Sequence, residues 1–179
     1  MLEWNMEAYK YLDKREAKWF DFAWNMYIGS EYILGRIDGS GKDVNRYMAK
    51  GMRDRWELIY EWSYALTRFF DIMIILRKRK GKKGGLRKQD IFSIVRLVKG
   101  KDVLTWEDIK KEAKRGQTLW GLILELYDDI YELSNRVYWE GIEIKKGGYG
   151  KMVADFGKEL EEYFMGKDIK IEYKELGDV

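Results

Sequence analysis

Apolar residues recur along this chain at steps of three, four and seven, the spacing that keeps side chains on one face of a 3.6-residue helix. The longest such run stretches from Val44 to Lys80, where Val44, Met48, Met52, Ile59, Trp62, Leu66, Phe69, Met73 and Leu76 form a core-facing stripe. Arg46, Lys50, Arg53, Asp54, Glu57, Glu61 and Arg68 fall mostly on the other side, so the pattern predicts one long helix with a wet face, ending in a basic run. From Leu2 to about Ile28, Trp4, Ala8, Leu12, Trp19, Ala23 and Met26 predict another helix; flanking Tyr9, Phe20, Phe22, Trp24 and Tyr27 widen its apolar arc enough for two neighbours. Gly29 and Ser30 mark a candidate kink before Glu31 to Ile37, and Asp38-Gly39-Ser40-Gly41 is a turn of residues that tolerate positive φ. A connection this short to a helix beginning near Asp43 predicts an antiparallel hairpin.

After the long helix, Gly81-Lys82-Lys83-Gly84-Gly85 predicts a mobile loop, because three glycines and adjacent lysines disfavour helix. Ile91, Ile94, Val95 and Val98 share one face of a short buried helix from Asp90 to Val98. Thr105-Trp106-Glu107-Asp108 reads as a helix start, with Thr105 as N-cap and Asp108 where Glu is the usual capping-box partner. Gly116 separates it from a longer helix, Thr118 to about Trp139, whose stripe of Leu119, Leu122, Ile123, Leu126, Ile130, Leu133 and Val137 is the cleanest in the chain. A softer stripe of Leu124, Tyr127, Tyr131 and Tyr138 is expected to widen that buried face. Gly141 to Gly150 is rich in glycine and lysine, and Met152 to Met165 resumes a helix through Val153, Phe156, Leu160 and Phe164. Asp168 to Lys174 alternates with period two, as a strand that would pair with Ile142 to Lys145 or with another subunit. The expected fold is a single all-α domain over residues 1–179, an antiparallel multi-helix bundle with room for a minor C-terminal β-ribbon.

Composition supports a packed core: 179 residues with 46% hydrophobic and 16% aromatic content are ample for one domain and exclude wholesale disorder. Zero proline, where average usage of about 5% predicts roughly nine, favours long uninterrupted helices. Neither cysteine nor histidine is present, which excludes disulfides, thiolate and imidazole metal sites, cysteine nucleophiles and any histidine-based triad. Any enzyme built here would rely on carboxylates, lysine, arginine, tyrosine, serine or a substrate-borne metal; no catalytic residue, metal ligand or cofactor is assigned. A charged fraction of 36% without thermolabile cysteine resembles proteins of heat-loving organisms. The N-terminus lacks a signal-like apolar run, and the most apolar window, Trp56 to Leu76, contains Glu57, Glu61, Arg68 and Asp71, so a cytoplasmic chain without a membrane span is expected.

Charge is concentrated in one place. Arg77, Lys78, Arg79, Lys80, Lys82, Lys83, Arg87 and Lys88 are eight basic residues with no intervening acid, and taking them from the net +3 leaves the remaining chain at −5. Cations beside an accommodating glycine backbone suit contact with nucleic-acid phosphates, whose binding is driven by counterion release. A solvated lysine-rich loop has the same composition. Lys145, Lys146 and Lys151 around Tyr149 form a second basic loop with an aromatic able to stack on bases. Glu125, Asp128, Asp129 and Glu132 line the side of their helix opposite its apolar stripe, a wet face or a weak divalent-cation site. Gly41-Lys42 and Gly150-Lys151 both fail the phosphate-loop pattern, being followed by Asp43 and Met152 and preceded at the first glycine position by Arg36 and Lys145. Of eight tryptophans, Trp4, Trp19, Trp62 and Trp120 lie near apolar stripes; Trp24, Trp56, Trp106 and Trp139 suggest a partner surface, for self-association or a cognate protein.

In the order of its parts, the region Leu2 to Trp139 resembles the HEPN helical domains found beside minimal nucleotidyltransferases in prokaryotic toxin–antitoxin pairs. The resemblance lies in an antiparallel helical pair, a long second helix ending at Leu76-Arg77-Lys78, a glycine-containing loop, a short helix at Asp90 to Val98, and a helix Leu122 to Trp139 carrying Asn135-Arg136-Val137-Tyr138. Nuclease members of that family use an Arg followed four to six residues later by His, and this chain has no histidine. The resemblance therefore implies a non-catalytic bundle that binds RNA, a nucleotide or a partner protein.

Overall fold

The 3.6-residue stripes form helices in a computed structural model, which describes residues 9–35, 50–100, 105, 107, 108 and 118–141. The protein is an all-α helical bundle: among the described residues there are four helices, α1 (Lys14–Ile33), α2 (Lys50–Arg79), α3 (Lys88–Lys99) and α4 (Leu119–Gly141), and no strand. The turn at 38–41, Val44 and Met48, the Lys145 to Lys151 loop, the helix expected at 152–165 and the strand expected at 168–174 lie outside the described residues.

Local chemistry explains where the helices start and stop. α1 starts at Lys14, where Asp13 and Glu16 form a capping box, so the expected helix is interrupted at residues 10–13, and its part from Leu2 to Ala8 lies outside the described residues. The Asp13 carboxylate accepts the Glu16 N–H at 2.8 Å, and Glu16 accepts the Asp13 N–H at 3.0 Å. It then runs through Gly29 and Ser30 without a break; the Ser30 hydroxyl donates to the Tyr27 carbonyl at 2.9 Å. Before α4, the Thr118 hydroxyl accepts the Gly121 N–H at 3.0 Å. The expected helix start at Thr105 has its reciprocal capping bonds, Thr105 N–H to Asp108 at 3.0 Å and Asp108 N–H to the Thr105 hydroxyl at 3.1 Å.

The chain divides into two compact units: Met1–Ala17 with Arg68–Asp128 and Ile169–Val179, and Lys18–Thr67 with Asp129–Asp168. In the first, the end of α2 and α3 run antiparallel: Arg68 donates to the Leu97 and Val98 carbonyls at 3.0 and 3.2 Å, and Arg79 reaches Asp90 at 3.5 Å. Leu12 just before α1, Phe69, Phe70, Ile72, Met73 and Ile74 of α2, Ile91, Ile94 and Val95 of α3, and Leu119, Leu122, Ile123 and Leu126 of α4 are buried in it. α3 ends at Gly100, whose φ of 66° is costly for any residue with a Cβ. A Cβ there would also lie 2.7 Å from the Arg68 guanidinium that covers the helix end.

In the second unit, Trp19, Phe20, Ala23 and Met26 of α1, Leu58, Ile59, Trp62, Ala65 and Leu66 of α2, and Ile130 and Val137 of α4 are buried. The polar groups among them find neutral partners. Trp62 Nε1 donates to the Ser134 hydroxyl at 2.8 Å, which donates in turn to the Ile130 carbonyl at 2.7 Å. Ser63 and Thr67 bond back to the Ile59 and Tyr64 carbonyls at 2.7 and 2.8 Å. The Tyr27 ring stacks on Tyr64 at 5.0 Å and lies 5.5 Å from Tyr60. Burial, followed by the Glu31 carboxylate, pushes the Tyr27 phenol far above its ordinary range, so it stays protonated.

Three stripe residues differ from expectation. Met52, Leu124 and Tyr131 are exposed, so the softer stripe of α4 does not widen its buried face at those two positions. One turn of periodicity shows which side a residue lies on; whether a neighbour covers that side depends on the rest of the fold.

Candidate functional site

Four consecutive cations, Arg77 to Lys80, step about 100° each around a helix, so they cannot share one solvated face. The structure sends them in different directions. Arg77 turns inward: its Nη1 donates to Glu16 Oε1 and to the Tyr11 carbonyl, both at 2.8 Å, and its Nη2 donates to Glu16 Oε2 at 2.6 Å. The Glu16 side chain is only 1% exposed. Burial raises its pKa, but the Arg77 hydrogen bonds, the Asp13 N–H and the Arg77 charge outweigh that and hold the carboxyl down at about 2.

Lys78 lies with its Nζ 5.4 Å from the centre of the Tyr11 ring, within cation–π range. Arg79 closes the loop, its Nε donating to the Gly85 carbonyl at 2.9 Å and facing Asp90 at 3.5 Å. Arg87 is held by the same carboxylate, through its backbone N–H at 2.9 Å and its Nε at 3.1 Å. Burial disfavours the Asp90 charge, yet the Arg87 side chain and backbone, with Arg79 behind them, lower its pKa below the ordinary carboxylate value.

Lys80, Lys82 and Lys83 are what remains. All three are exposed, and among the described residues none of their side chains is engaged by an acid, a carbonyl or a ring. Lys88 is exposed at the first position of α3. The turn that presents the lysines is tied at several points: the N–H groups of Lys80, Lys82 and Gly85 donate to the Arg77, Arg79 and Lys82 carbonyls at 3.3, 3.2 and 3.1 Å. Gly81 takes φ of 75° just past the end of α2, with open space where a Cβ would sit. The segment expected as a loop forms a hydrogen-bonded turn closed by Arg79.

Sequence reasoning found the cations but missed Glu16 and Asp90, the two acids that engage the arginines. Both carried a signal, Asp13-x-x-Glu16 as a capping box and Asp90 three residues after Arg87 on one helical face. Helical spacing puts Arg68 on the wet face, whereas the structure has it cover the last carbonyls of α3, where a cation also meets the negative helix end.

The other candidates add little. Glu125, Asp128, Asp129 and Glu132 are exposed, and among the described residues no three His, Cys, Asp or Glu side chains cluster closely enough to hold a metal ion. Asp71, in the C-terminal half of α2, is largely buried, and burial alone raises its pKa to about 7. Trp19 and Trp62 are buried, while Trp24, Trp56 and Trp120 are partly covered. Among the described residues no helix is long and apolar enough to cross a membrane. Compared with protein-family models, with curated proteins and with solved structures, the chain matches none.

Proposed function

We propose that this protein is a non-catalytic helical binding module that contacts nucleic acid or a similar polyanion through the turn between α2 and α3. The observation that carries the reading is the division of labour within the basic cluster. Arg77 is spent on Glu16, and Arg79 and Arg87 brace the turn, while Lys80, Lys82 and Lys83 are exposed on it. Flexible ammonium groups on a fixed backbone suit contact with phosphates whose positions vary, and such contact carries no sequence preference by itself. The resemblance to HEPN domains points to the same class of activity, binding without the Arg and His pair of the nuclease members.

An anisotropy titration with single- and double-stranded DNA and RNA, at low and near-physiological salt, tests this against a variant with Lys80, Lys82 and Lys83 all changed to Gln. Binding that survives near-physiological salt and is lost in the variant is the expected result. No binding, or equal binding by both proteins, overturns it. Light scattering and partner capture then address the competing role, assembly with a second copy or a cognate protein. That role has its own support in Tyr32, a large side chain 70% exposed near the end of α1.

A further inference from the structure

We infer that Asp90 is an internal competitor for the basic surface, holding Arg79 and Arg87 for the fold and restricting phosphate contact to the lysines of the turn. This rests on the nucleic-acid reading above and narrows it from eight cations to a small set.

The geometry is that of a carboxylate placed where a phosphate would go. Asp90 Oδ2 receives the Arg87 backbone N–H and Nε, and Oδ1 lies 3.4 Å from Arg87 Nη2, so the guanidinium fork is occupied on both arms. A planar fork binds carboxylate and phosphate by the same two parallel donors, so the two ligands compete for this Nε–Nη2 edge of Arg87. Being covalently tethered, Asp90 competes at an effective concentration that a free phosphodiester does not reach. Arg79 is further committed, only 16% exposed and with its Nε also on the Gly85 carbonyl, so recruiting it to a ligand would open the turn. Arg87, at 59% exposure, is the informative residue, since it is accessible to a ligand and yet already matched. Arg77 is removed from contention in the same way by Glu16.

Salt dependence reads this directly, because the slope of log K against log salt counts phosphates neutralised, about −0.9 for each on duplex DNA. Eight contacting cations would give about −7; Lys80, Lys82 and Lys83 alone give about −2.7, and adding Lys78 and Lys88 gives about −4.5. The experiment uses the full chain and a duplex of about 20 base pairs, titrated at several salt concentrations. Wild type is compared with Lys82→Gln, Arg87→Gln and Asp90→Asn, with circular dichroism as a check on folding.

The expected results are a wild-type slope no steeper than about −4.5, a loss of about 0.9 in Lys82→Gln, less than half that loss in Arg87→Gln, and a steeper slope with tighter binding in Asp90→Asn. A wild-type slope near −7, an Arg87→Gln loss equal to that of Lys82→Gln, or a folded Asp90→Asn with unchanged slope overturns the role of Asp90 while leaving the nucleic-acid reading intact. Failure of wild type to bind, or indifference of binding to Lys82→Gln, overturns the reading itself and the inference with it. Should Asp90→Asn not fold, the comparison of Lys82→Gln with Arg87→Gln decides alone.

Discussion

The two halves of α2 solve the same problem with different chemistry. Between Lys50 and Thr67 the helix is held by apolar burial and neutral contacts, namely the Tyr27, Tyr60 and Tyr64 rings, the Trp62 to Ser134 hydrogen bond, and hydroxyls that bond back to their own helix. Between Arg68 and Arg79 it is held by apolar burial and charge. Arg68 covers the end of α3, Arg77 pairs with the buried Glu16, and Arg79 meets Asp90. The difference follows from where the cations fall. Arg53 and Glu57 pair one turn apart at the surface, where such a contact contributes little. Arg77 to Arg79 wrap around the helix, so some must go inward, and a cation that goes inward needs a partner. A basic run on a helix is therefore partly a structural device, and its binding capacity is smaller than its formal charge.

This contrast can be broken most directly at Glu16. Changing Glu16→Gln leaves the partly exposed Arg77 without its anion and is expected to cost about 2–3 kcal/mol, measured by denaturant unfolding near neutral pH. A loss no larger than that from a neutral hydrogen bond would show that charge does not hold this half. Acid does the same work more gradually. Because the Glu16 pKa is lowered to about 2, its contribution is present above the ordinary carboxyl range and is lost as pH falls toward 2.

Asp71 gives the opposite limb. Its pKa is raised to about 7, so the neutral form suits the folded state; stability from this group is complete below about pH 4 and is lost as pH rises through 7. Asp71→Asn is expected to stabilise the protein by up to about 4 kcal/mol at pH 8 and to change nothing near pH 4, which paired thermal melts would register. Equal stability of the two proteins at pH 8 would mean that Asp71 is solvated after all. Together the two carboxylates place the stability maximum of this part of the chain between their titrations, near pH 4 to 5.

Smaller effects sharpen the comparison. Gly100→Ala places a Cβ at positive φ and against Arg68, and is expected to cost about 1–2 kcal/mol. Adding Arg68→Gln should make the two losses less than additive, because the collision disappears with the guanidinium. On the neutral half, Ser134→Ala removes the acceptor of Trp62 Nε1 and is expected to cost about 1 kcal/mol, with little dependence on pH. A strong pH dependence there would erase the distinction between the halves.

Much of this was legible in the chain itself. Helical periodicity located α2, α3 and α4 and named most of their buried residues, because a 3.6-residue repeat is a local property that survives whatever the neighbours are. Capping chemistry placed the start at Thr105, since those bonds span only three residues, and the break at Gly116 placed the one at Thr118. What periodicity could not supply was the fate of each charge. Arg77 and Glu16 are 61 residues apart, Arg68 and Leu97 are 29 apart, and which cation is buried, braced or left to solvent depends on which helices come to lie beside it. The sequence by itself determined an all-α chain with one concentrated basic turn. Only the tertiary structure decided that its arginines are spent on Glu16, Asp90 and Gly85 while three lysines stay in water, because pairing a buried charge is a demand set by the packed interior and met across the fold.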